Sequence, residues 1–119
     1  MIRRRTRLRV TDNSGVRRVR CIRPQGRPVA SIGQVIRASV VKARPTSVWK
    51  PGRLVRVLVV RTRAPWKTSD NQRVVFSENA GILLGNDGAP VATRIIGSVP
   101  RRRRQRGYGK VVTRSDNAV

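Results

Sequence analysis

Histidine is absent from this chain, cysteine occurs once, and only five of its 119 residues are acidic. Each shortage removes a class of chemistry. With no imidazole, and with Cys21 as the lone thiol, neither a His/Cys metal site nor an internal disulfide can be built. Cys21 reads instead as a small core residue, in keeping with a reducing compartment. Asp12, Asp70, Glu78, Asp87 and Asp116 lie far apart in sequence, four of them in Asn/Ser/Gly surroundings that read as turns. A paired-carboxylate site is therefore not expected, and neither an enzymatic activity nor a cofactor is predicted. No apolar run approaches the ~20 residues that cross a bilayer, so neither a membrane nor a small-molecule substrate is an expected partner. Aromatic residues make up 3% of the chain, too few for the paired stacking rings of an RNA-recognition-motif sheet.

What the chain has in excess is positive charge. There are 28 Lys and Arg, 24 of them Arg, and the formal net charge is +23. The length is that of one domain, and 38% hydrophobic residues suffice for one modest core. A field of this size repels itself and opposes compaction, so the partner it implies is a polyanion, and nucleic acid above all. Arginine's planar fork grips phosphate oxygens bidentately where lysine offers a point charge, which predicts recognition led by backbone and shape.

The apolar pattern is that of strands. Thr6, Leu8 and Val10 alternate with Arg5, Arg7 and Arg9, which predicts a first strand with a basic outer face. Asp12-Asn13-Ser14-Gly15 follows as a turn in which Gly15 supplies a positive φ. Val16 to Arg23 reads as a second strand, ended by Pro24-Gln25-Gly26-Arg27-Pro28. Val35 to Ala43 reads as a third, and the loop Arg44 to Gly52 closes on the turn Lys50-Pro51-Gly52. Leu54 to Val60 is the most apolar segment and is expected to be the most buried strand. Arg73 to Phe76, Ile82 to Leu84 and Val91 to Ile96 read as further strands, with Asn86-Asp87-Gly88 as a hairpin turn. Short strands at this spacing argue for a small antiparallel barrel or a sandwich, and a barrel also removes exposed edges.

The pattern changes at Ser98, read as a helix cap before Pro100 and the run Arg101-Arg102-Arg103-Arg104. Like charges so placed destabilise an isolated helix, so bound anions would have to order it. Lys110 to Val119 is polar and is expected to fray. One domain over 1–119 results, with a barrel over 1–97 and a basic helix and tail over 98–119. Gly81, Gly85 and Gly88 surround Ile82-Leu83-Leu84 without a following Lys-Ser or Lys-Thr, so they read as strand ends and a hairpin, not as a phosphate loop.

Specific residues carry a resemblance. Met1-Ile2, the turn Asp12 to Gly15 with Arg17-Arg18-Val19 and Cys21-Ile22, and Val57 to Thr62 are joined by Phe76-Ser77-Glu78-Asn79-Ala80-Gly81-Ile82-Leu83-Leu84 and by Gly88 to Gly97. Nearly end to end, the chain resembles the large-subunit ribosomal protein fourteen family of bacterial and organellar type. It departs from the family pattern at Asn71, where Gly is usual, at Arg101 to Arg104, where a Glu is usual, and most of all over Gln105 to Val119.

The resemblance implies a closed five-stranded β-barrel with a small helical C-terminal region. It implies a structural constituent of the large ribosomal subunit, bound to large-subunit rRNA near the subunit interface. The partners implied are small-subunit rRNA across an intersubunit bridge, neighbouring proteins including ribosomal protein nineteen, and a ribosome-silencing factor. The arginine preference and acid-free start lean toward an organellar ribosome, in the mitochondrial matrix, over a bacterial one. The alternative reading is a free basic nucleic-acid-binding or RNA-chaperone barrel not tied to the ribosome.

From the residues themselves, RNA contacts are expected at Arg3, Arg5, Arg7 and Arg9 on the first strand and at Arg17, Arg18 and Arg27 around the first turns. Arg44, Lys50 and Arg53 flank the proline loop, and Arg63, Lys67, Arg94 and Arg101, Arg102, Arg103 and Arg104 complete the set. Any one of them could equally be a solvated surface charge. Trp49 and Trp66 both fall in loops, where each could stack on an unpaired base or cap an open barrel end.

Overall fold

The computed structural model describes residues 2–26, 28–63, 66–67, 73–74, 78–86, 88–99 and 115–118, with the backbone path alone at 66–67, 73–74, 97–99 and 115–118. Nine strands occur among them: β1 (Arg7–Val10), β2 (Val16–Pro24), β3 (Val35–Ala43), β4 (Leu54–Arg61), β5 (Trp66–Lys67), β6 (Arg73–Val74), β7 (Ala80–Leu84), β8 (Ile95–Val99) and β9 (Ser115–Ala118). Strands β1, β2, β3, β4 and β7 close into a barrel in that order, while β5–β6 and β8–β9 form separate two-stranded sheets. The expected five-stranded barrel is thus present. Four of its seams are antiparallel, and the barrel closes through a parallel pairing of β1 with β7, Arg9 opposite Ala80 and Val10 opposite Gly81.

Alternation builds the interior. Leu8, Val10, Val16, Val19, Cys21, Ile36, Ala38, Val40, Val55, Val57, Val59 and Leu83 are buried in one cluster, to which Ile2 and Ala30 add their side chains. Leu58, Val60, Ala80, Ile82, Leu84 and Ile95 form a second. Alternate residues of β4 and β7 therefore enter different clusters, so both faces of these strands are covered. That is why they read as continuous apolar runs. All five residues of β7 are buried, whereas Leu54 at the start of β4 is 58% exposed. The most buried strand is β7, not β4 as expected; two glycine-sized or alanine-sized positions in β7 hid this from a reading by hydropathy.

Other expectations need correction. β1 begins at Arg7, because Thr6 turns the chain: its N–H donates to the Arg3 carbonyl at 3.1 Å and its Oγ1 accepts from the Arg3 N–H. Arg5 takes a φ of 73°, so Arg3 and Arg5 precede the strand face and are not on it. The strand expected over Val91 to Ile96 starts only at Ile95, since Asn13 takes the Arg94 N–H on its Oδ1 and its own N–H donates to the Arg94 carbonyl. Ser98 lies in β8, not at a helix cap, and Ser115–Ala118 pairs with that strand in parallel. A partner so distant in sequence leaves no local signal. The expected helix from Pro100 onward lies outside the described residues.

Candidate nucleic-acid interface

Local chemistry sets the turn that opens the site. The Asp12 carboxylate accepts the Ser14 N–H and hydroxyl on Oδ1, and the Leu83 N–H of β7 on Oδ2 at 3.0 Å. One side chain thereby folds the turn and ties it to the closing strand. Burial pushes its pKa up, and the Ser14 and Leu83 hydrogen bonds oppose that shift. Gly15 takes the φ of 95° expected of it, and a Cβ there would lie 2.9 Å from the Ser47 Cβ.

Around this turn opens a groove of about 730 Å³ that brings together Arg7, Arg9, Arg17, Arg18, Arg44 and Arg63 from the expected set. Lys42 joins them, and Glu78, Asn79 and Ile96 also line the groove. Glu78 is the sole described carboxylate that pairs with arginine: it lies 3.5 Å from Arg9 and 3.3 Å from Arg61. Burial lowers the Arg61 pKa, and the Glu78 charge works against that shift. Asn79 fixes the rim by accepting the Arg63 N–H at 3.0 Å.

The strand register reveals basic residues that the sequence reading overlooked: Arg20, Arg23, Arg37, Lys42 and Arg56. Arg9, Arg18 and Lys42 stand opposite one another across β1, β2 and β3; Arg23, Arg37 and Arg56 do so across β2, β3 and β4. All but the half-buried Arg56 are exposed. For Arg20, Arg23, Arg37 and Arg56 the signal lies in the period-two alternation, since each follows or precedes a buried residue; Lys42, between the exposed Val41 and the half-buried Ala43, has no such signal. Like charges directly opposite each other destabilise a sheet unless an external anion neutralises them. No acidic side chain is described on this face apart from Glu78 at its rim.

Other expected contacts are dispersed. Arg3 and Arg5 are exposed beside the turn before β1, and Arg94 is exposed beside Asn13. Lys50 donates to the Pro45 carbonyl at 2.9 Å, Arg53 donates to the Val48 carbonyl, and its guanidinium lies 4.5 Å from the centre of the Trp49 ring. Trp49 is partly buried and also packs against the barrel cluster. Arg27, Arg101, Arg102, Arg103 and Arg104, and the side chains of Trp66 and Lys67, lie outside what the structure describes. Among the described residues, no cluster of three His, Cys, Asp or Glu could hold a metal ion.

The family model described as ribosomal protein L14p/L23e matches residues 1–119, the whole chain. The chain belongs to this family. A relative, the large ribosomal subunit protein uL14 of Solibacter usitatus (strain Ellin6076), is 38% identical over 122 residues and aligns along the full length of both chains. The L14p/L23e family is one of ribosomal proteins, in line with the basic barrel. That relative is bacterial, so the organellar lean drawn from the arginine preference and the acid-free start gains no support from it.

Proposed function

We propose that this chain is a structural constituent of the large ribosomal subunit that binds its rRNA through the basic groove and the outer face of β1–β3. The observation that carries the reading is the end-to-end family match, and the uncompensated rows of cations supply the physical means. Neutralisation by phosphate relieves repulsion that the protein cannot relieve internally, so binding and folding support each other. A position near the subunit interface, with a bridge to small-subunit rRNA, contacts to ribosomal protein nineteen and a silencing factor as visitor, belongs to the same reading. No catalysis is assigned to it.

An affinity-tagged chain expressed in its own cells is expected to sediment with large subunits in high salt and to recover large-subunit rRNA with neighbouring proteins. Recovery chiefly on DNA or bulk mRNA would replace this reading with the free RNA-chaperone barrel.

A further inference from the structure

The two rows of cations on the outer barrel face share β2 and β3, so the backbone holds them at a set separation. Along β2 and β3 the two rows are four ladder rungs apart, because Val41 and Ile22 are extra residues in the pairing, about 13 Å at a rise of ~3.3 Å per rung. Within each row the side chains follow one another at the ~4.8 Å spacing of neighbouring strands. Between the rows lies one rung, in which Arg7 faces Arg20 across β1 and β2, Arg20 faces the half-buried Ser39 across β2 and β3, and Ser39 faces the exposed Leu54 across β3 and β4. The surface is thus two three-residue cationic tracks on the convex outside of a barrel, with a rung between them that is cationic over β1–β2 and uncharged over β3–β4.

We propose that this face docks double-stranded RNA across its minor groove. Arg9, Arg18 and Lys42 hold the phosphates of one strand, and Arg23, Arg37 and Arg56 hold those of the other. The inference rests on the RNA-binding reading above and names the form of RNA that this face takes. A-form helices present a wide, shallow minor groove rimmed by two phosphate strands and floored by 2′-hydroxyls. A convex sheet with two cationic tracks matches that relief, and the Arg20 guanidinium and Ser39 hydroxyl stand where 2′-hydroxyls would meet them. B-form DNA offers a minor groove only ~6 Å wide and a major groove that admits a helix or a two-stranded ribbon, not the broad side of a barrel. Single strands are held by basic grooves interleaved with stacking aromatics. Neither track carries an aromatic residue, and Trp49 packs against the barrel cluster. The Arg9 contact to Glu78 is long and exposed, and Glu78 keeps Arg61 when Arg9 turns to a phosphate.

The test uses the full chain with three probes of one sequence: a short blunt RNA duplex, the matching DNA duplex and the single-stranded RNA. At physiological salt the RNA duplex is expected to bind at least about tenfold tighter than either of the others. Hydroxyl-radical footprints on it should protect both strands, staggered across the minor groove. Two triple variants, Arg9→Gln/Arg18→Gln/Lys42→Gln and Arg23→Gln/Arg37→Gln/Arg56→Gln, should each make the slope of log affinity against log salt shallower by roughly two units, at ~0.7–0.9 per lost phosphate contact. Each should also erase protection on one strand only. Equal affinity for single strands or DNA, a one-strand footprint of the unaltered protein, or a slope indifferent to one row would overturn the inference while leaving rRNA binding standing. Failure to bind any RNA would remove both. The footprint of the unaltered chain decides the matter even if a triple variant does not fold.

Discussion

Two residues at the first turn show how single positions carry the barrel. Gly15 combines a left-handed backbone angle with close approach to Ser47, so Gly15→Val adds strain and a collision at one site. Thermal unfolding should show a loss of roughly 1–3 kcal/mol, and an unchanged melting temperature would remove the turn from the list of structural determinants. Asp12 makes a prediction about pH. Because burial raises its pKa in the folded state, the folded protein takes up this proton more readily than the unfolded chain does. The contribution of Asp12 to stability is therefore fully present below its unfolded value of about 3.9 and declines as pH rises through the folded value. Denaturant melts of the protein and of Asp12→Asn across the acidic range should show the difference between them shrinking with rising pH. A difference that grows with pH would mean that hydrogen bonding to the carboxylate outweighs its burial. Cys21 is buried as its sequence context implied, and burial pushes the thiol up, consistent with an unreactive core position.

At the scale of elements, β7 leaves no room for a side chain at Gly81 where it lies against β4. The Gly81 carbonyl accepts the Thr11 N–H, and a Cβ on Gly81 would fall on Val57 Cγ1 and come within 3.0 Å of the Leu58 carbonyl oxygen. Gly81→Ala is expected to cost about 1–3 kcal/mol through overpacking, read as a lower denaturation midpoint at unchanged slope. A neutral result would show that β7 can move away from β4. The sequence made β2, β3 and β4 legible to within a residue or so, because β2 and β3 largely alternate and β4 is a continuous apolar run, each over eight or nine residues between turn signals. It misplaced β8 and missed β9, because their pairing joins segments some twenty residues apart and leaves no local pattern. The basic rows escaped for a related reason: which cations face one another depends on register, and extra residues at Arg17 and Ile22 in β2 and at Val41 in β3 shift that register.

For the whole molecule, net charge dominates. At +23, the folded state should gain stability from added salt, and more from a polyanion, as screening relieves repulsion. Replacing Arg101, Arg102, Arg103 and Arg104 with Gln should make the salt slope on an rRNA fragment shallower by roughly two units if about three of them reach phosphates. The barrel's melting temperature should hold or rise slightly at low salt, since four like charges have gone. An unchanged slope with a lowered melting temperature would mean that the run is structural. Composition alone determined that the partner to expect is a polyanion and that this chain has too few His and Cys residues to build a His/Cys metal site by itself, because both follow from which side chains exist and not from where they lie. Alternation determined which residues line the core of β1 to β4, because a pleated strand sends successive side chains to opposite faces. Only the tertiary structure decided that a parallel seam closes the barrel, that Asp12 is spent on Leu83, and that scattered arginines align in two rows, since each depends on residues that meet across strands and are remote in sequence.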